Sequence, residues 1–157
     1  MLDSLQEFTA SLPEFLQWFG ILLIGAVPFL ESYIGSAVGI IAGLNPVIVV
    51  AAAVVGNVIS MLAFVFVAHS VRSKVVAGKA TAELSPRRAK LKERFDRYGV
   101  PGVSLLGQTL LPSQITSAAM ISFGAPKNQV ILWQIISIIM WGVIFAVLAT
   151  LGVSVIR

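Results

Sequence analysis

The chain has 157 residues, of which 57% are apolar and 11% charged, where a soluble domain carries about a quarter charged. Phe15 to Ala68 hold one charge, Glu31, and both Gly99–Pro126 and Asn128–Ile156 hold none, too few to cover a water-facing surface. The sequence is that of an integral membrane protein. The absence of cysteine excludes disulfides, thiolate chemistry and Cys-based metal centres, and a single histidine excludes a His-rich metal site, so neither metal nor cofactor is expected.

The first fourteen residues carry three acids and no base, so a secretory signal is not expected there. The apolar stretch 16–44 follows, interrupted at Pro28-Phe29-Leu30-Glu31-Ser32. That leaves pieces of about twelve residues, too short to span and suited to a re-entrant hairpin, although a single proline-kinked helix is the alternative. Span 46–68 is uninterrupted, with Pro46 at its start and His69 at its end. Segment 69–98 is a loop holding nine of the eleven basic residues against three acids, the mark of a cytoplasmic connection and not of a nucleic-acid surface. Within it Ser85-Pro86 reads as a helix start and Gly99 as a stop. Leu84, just before its start, and Arg88, Leu91, Phe95 and Tyr98 share one face of that helix, 86–98. It is expected to lie on the inner leaflet, with Arg87, Arg88, Lys90 and Arg94 toward lipid headgroups, or else to serve as a solvated connector. Stretch 100–125 is interrupted at Leu111-Pro-Ser-Gln-Ile-Thr-Ser117 and forms a second hairpin, and 128–152 is a second clean span behind Lys127.

Charge decides between hairpins and kinked helices. With the basic loop inside, a hairpin over 16–44 keeps the acidic N-terminus outside, as the positive-inside trend requires, and both termini lie outside a bacterial plasma membrane. The expected fold is all-α, a single membrane domain of two inverted repeats, each a re-entrant hairpin plus a transmembrane helix. Gly20-Ile-Leu-Leu-Ile-Gly25 lines up with Gly102-Val-Ser-Leu-Leu-Gly107, and the Pro28 and Pro112 breaks follow at similar distance. Inverted repeats with broken helices meeting near the midplane are a transporter architecture.

Glu31 is the one acid inside an apolar run, where keeping it charged costs about 2.5–3.5 kcal/mol, so it is expected to face a partner, water or a substrate. A position in water at the hairpin tip, capping the next helix, is the simpler alternative. The second break supplies Gln108, Thr109, Ser113, Gln114, Thr116 and Ser117, which either satisfy exposed helix ends or present donors to a ligand. With Ser32 and Asn57 these residues make the candidate substrate and proton site between the two hairpin tips, although Asn57 also suits interhelical hydrogen bonding. No phosphate loop, triad or carboxylate pair is present, and an enzyme is not expected.

At Ile24-Gly-Ala-Val-Pro28, Val55-Gly-Asn57, Arg97-Tyr-Gly99 and Leu111-Pro-Ser-Gln-Ile-Thr116 the chain resembles the bacterial putative small multi-drug export protein family, itself similar to the DedA/VTT membrane proteins. Gln114, Ile115 and Ser117 stand where that family's second break has a proline and two glycines. Gln108 and Gln114 stand where DedA proteins carry arginines. The resemblance implies proton-coupled movement of a small molecule or a lipid carrier. The other reading is a non-transporting scaffold acting through the basic loop; a four-helix small-multidrug-resistance antiporter fits poorly with so long a loop. Two spans and two hairpins enclose little interior, so a homodimer or larger homo-oligomer in contact with membrane lipids is expected.

Overall fold

The computed structural model describes residues 2–75, 86–107 and 111–156, and every element in them is helical. In chain order these are α1 (Leu2–Ser11), a 3₁₀ turn (Glu14–Leu16), α2 (Gln17–Ala26), α3 (Glu31–Ile41), α4 (Pro46–Val75), α5 (Pro86–Gly107), α6 (Ser113–Phe123) and α7 (Lys127–Ile156). Gln108, Thr109 and loop residues 76–85 lie outside the described residues.

α4 and α7 contain the apolar spans, over Pro46–Arg72 and Lys127–Ser154. At 1.5 Å per residue each is long enough to cross a hydrocarbon layer of about 30 Å. Both helices run past the spans expected from composition, because α4 continues through His69 and Arg72 and α7 reaches Ile156. A charged residue ends an apolar run without ending a helix. Only 33% of the most apolar 18-residue stretch of α4 and 22% of that of α7 is buried, and Val47, Val67, Leu148 and Leu151 are exposed. So much apolar surface requires lipid around it. Each long helix buries one stripe, Val49, Ala53, Asn57, Met61 and Val65 on α4 and Val130, Gln134, Ser137, Ile138 and Ala146 on α7.

The chain folds as two compact units, 1–60 with 138–157, and 61–137. In the first unit α2 and α3 pack on each other, and the direction follows from their glycines. A Cβ on Gly35 would sit 3.5 Å from the Gly25 nitrogen, and one on Gly39 would sit 3.1 Å from Ile21 Cδ1. Position thus falls along α2 as it rises along α3, so the chain doubles back and is not a kinked rod. α2 also lies hard against α4: a Cβ on Gly56 would overlap the Leu22 carbonyl, and one on Gly25 the Ala53 carbonyl. Small residues let backbones approach this closely, where lipid supplies no hydrophobic drive for helix contact. Ile21, Ile24, Val38, Val49, Ala53 and Ala146 form the core around this contact.

In the second unit α5 consists of two arms, 86–98 and 100–107, separated by Gly99 at φ 65°, ψ −168°. α5 packs on α6, with Phe95 against Phe123 and Gly107 beside Thr116, again antiparallel. α6 ends at Gly124, whose φ of 111° is the left-handed stop that glycine adopts without strain. Ala125 N–H reaches back to Met120 O at 3.0 Å to complete that cap. The helix formed by 86–98 therefore sets Phe95 on this unit's own α6 end and buries Leu91, while Arg87, Lys90 and Arg94 are exposed.

Candidate functional site

In the first unit α2 ends at Ala26, Val27 is extended, and the backbone regains a helix only at Glu31. Within that break Phe29 has φ 73° and Glu31 has φ 54°, both in the left-handed region. For a residue with a Cβ this region costs about 1–2 kcal/mol, and such strain concentrates at functional positions. Glu31, Ser32 and Ser36 are fully buried at the start of α3, and Asn57 is fully buried on α4. Ser32 Oγ donates to Ile138 O at 2.9 Å, and Gly142 leaves the space that Ser32 occupies, since a Cβ there would be 3.4 Å from it. The Ser36 hydroxyl has no partner among the described residues. Pro28 lies inside the break, and the turn is closed by Leu30 and Glu31 N–H groups donating to Val27 O at 3.1 Å each. Glu31 thus sits inside the packing of this unit and not at a wet hairpin tip.

The second unit places a neutral polar set at its own break. Pro112 (φ −54°, ψ 148°) precedes α6, and Ser113, Gln114, Thr116 and Ser117 on its first turns are all fully buried. Ser117 Oγ donates to Gln114 O at 3.0 Å, and Thr116 Oγ1 to Leu111 O at 3.3 Å. These hydroxyls hold the helix start and the Leu111 carbonyl, and the Ser113 hydroxyl reaches Gln114 Oε1 at 3.4 Å. Glu31, Ser32 and Asn57 accordingly belong to one unit, and Ser113, Gln114 and Thr116 to the other.

Composition alone passes over three further polar residues. Ser104, Gln134 and Ser137 are fully buried in the second unit, where Ser137 Oγ donates to Ser104 O at 2.6 Å. Both amide atoms of Gln134 and the Ser104 hydroxyl have no hydrogen-bond partner among the described residues. Leaving such groups unmade in a protein interior costs about 1–3 kcal/mol each. The available signal is the spacing of Gln134 and Ser137, three apart on one face of an otherwise apolar helix.

Basic residues also have defined roles here. Arg72 Nη1 donates to Ile121 O at 2.8 Å, placing a cation on the carbonyl end of α6, and Gly124 has no Cβ to obstruct it. Arg88, expected at lipid headgroups, donates to Ser122 Oγ at 2.9 Å. Lys127 stands over the Phe66 ring at 5.3 Å. Among the described residues no His, Asp and Glu cluster could hold a metal ion.

Two apolar helices long enough to span, with broken pairs of short helices that bury an acid and a set of amides and hydroxyls, define an all-α membrane protein. Its exposed apolar stripes exclude a water-soluble fold. Residues 31–144 match the family described as putative small multi-drug export protein, and the chain belongs to that family. No curated protein and no solved structure matches it.

Proposed function

We propose that this protein is a small proton-coupled exporter in which Glu31 exchanges the proton. The observation that carries the reading is a fully buried carboxylic acid held in left-handed backbone at the break between two short antiparallel helices. Ionisable groups inside a membrane fold are costly and are retained for ion and substrate pathways, and broken helices are where transporters place them. The family description, an export protein, favours the same reading. Asn57 and Ser32 are the polar neighbours in the Glu31 unit, and Ser113, Gln114 and Thr116 supply neutral donors and acceptors for a ligand in the other. In the membrane the two helical hairpins are re-entrant and enter from opposite faces, with the basic segment cytoplasmic and both termini outside. A second copy covers backbone that the breaks would expose to lipid. The resemblance to DedA/VTT proteins favours a lipid carrier as the substrate within this reading.

The test is reconstitution into vesicles and a transport screen with and without a pH gradient, starting from ethidium and a short-chain phospholipid carrier analogue. Transport that responds to the gradient supports the exporter. A protein that moves nothing, yet loses partners when Arg87 and Lys90 are neutralised, is the scaffold instead.

A further inference from the structure

The bend at Gly99 encloses a cavity of about 330 Å³ between the two arms of α5, lined by Leu91, Arg94, Tyr98, Gly102, Val103, Leu106 and Gly107. That volume lies at the lower end for small-molecule sites. The bend and its tightness are written in two glycines. Gly99 adopts a positive φ, and a Cβ on Gly102 would lie 2.5 Å from Tyr98 Cβ, so Tyr98 folds across the elbow only because residue 102 has no side chain. Leu91 and Val103 are the buried apolar walls, Leu106 is an exposed apolar lip, and Arg94 and Tyr98 are exposed at the polar end. Arg97 stacks over the Tyr98 ring at 5.1 Å, setting a second positive charge beside that wall. The acid on the same helix turn, Asp96, is engaged by Lys92, and Glu93 is exposed; Arg94 makes no ion pair among the described residues.

From this the geometry points to a site for one anionic phospholipid. Its phosphate sits against the Arg94 guanidinium with Arg97 nearby, and the first part of one acyl chain runs along Leu91, Val103 and Leu106. Charge complementarity selects the anion, and five apolar or glycine walls out of the seven lining residues select an amphipath over a free ion. The lipid would brace the elbow that joins helix 86–98 to the second hairpin. This site is separate from the Glu31 unit and stands whether or not the chain exports anything.

The experiment is equilibrium binding of a fluorescent dioctanoyl phosphatidic acid to the full chain in a non-ionic detergent. Competitors are unlabelled dioctanoyl phosphatidic acid, dioctanoyl phosphatidylcholine and inorganic phosphate. Phosphatidic acid should displace the probe at least about tenfold better than phosphatidylcholine, and phosphate should not displace it. Arg94→Gln should weaken binding about tenfold, and Leu106→Trp, which fills the lip from an exposed position, should abolish it. Arg87→Gln removes the same charge from the same helix outside the cavity and should change affinity less than about twofold. Equal competition by phosphatidylcholine, displacement by phosphate alone, or equal losses in Arg87→Gln and Arg94→Gln would each overturn the site. The competitor series on unaltered protein stands even if a variant is lost.

Discussion

Replacing Glu31 by glutamine tests the exporter directly, because the change is nearly isosteric and keeps a polar side chain in the same buried position. Glu31 is the one ionisable side chain that is buried among the described residues, so the proposed exporter would carry one proton per chain. Exchange of one proton for one monovalent lipophilic cation such as ethidium is electroneutral and is driven by the pH difference alone. One pH unit is worth about 1.4 kcal/mol per proton, about a tenfold concentration ratio. Vesicles holding the unaltered protein should therefore accumulate ethidium about tenfold across one pH unit, and about a hundredfold across two. With Glu31→Gln the ratio should stay near one at any gradient, while gel filtration and helical content remain those of the unaltered protein. A Glu31→Gln protein that still reaches the tenfold ratio would reduce Glu31 to a structural role at the start of α3 and refute the coupling argument.

Gly56→Ala should cost about 1–3 kcal/mol, read as a lower melting temperature in detergent, because the new Cβ meets the Leu22 carbonyl and backbone cannot yield. Gly152→Ala, with nothing within 4 Å, is the control and should leave stability unchanged or slightly raised. Phe29→Gly should raise the melting temperature through about 1 kcal/mol of relieved strain at φ 73°, since the ring is largely exposed; no gain would remove the strain argument at this break. Gln134→Met should stabilise the protein by removing two buried unmade polar atoms while lowering transport, and unchanged transport would make Gln134 a bystander. The chain has no native cysteine, so Leu2→Cys alone reports the N-terminus: labelling by an impermeant thiol reagent in intact cells is expected, and labelling only after lysis would reverse the topology.

What was readable in the sequence was whatever is encoded locally. Helix 86–98 starts at Pro86 and stops at Gly99 because proline presets the first turn and glycine accepts a positive φ. The breaks near Pro28 and Pro112 are visible because each splits an apolar run into pieces of one helix-hairpin arm. Glu31 stands out because any charge does in that background. α1 has little apolar pattern to mark it in the sequence, since it is short and carries acids, and it is held by Phe8, with Leu12 just beyond its end, packing over Gly20. Arg72 looks like one more loop cation, and its role at the α6 carbonyl end depends on a residue 49 positions away. In the sequence Gln134 is one polar residue within an apolar span; its burial and its unmade amide are visible only in the fold. Non-local partners, not element types, were the illegible part.

Each long helix is divided between the two units: α4 gives its first part to one and its remainder to the other, and α7 does so in reverse order. This has a consequence for biosynthesis. The hairpin that emerges first from the ribosome cannot be completed until nearly the whole chain has been made, because the Ser32 hydroxyl finds its acceptor, the Ile138 carbonyl, 106 residues later. At about 5–20 residues per second that interval is on the order of 5–20 s. Through it the polar groups at the first break must be sheltered by something other than their native neighbours. A chain that ends before α7 therefore lacks the Ser32 acceptor altogether, and it is expected to be lost faster than the full chain in a pulse-chase.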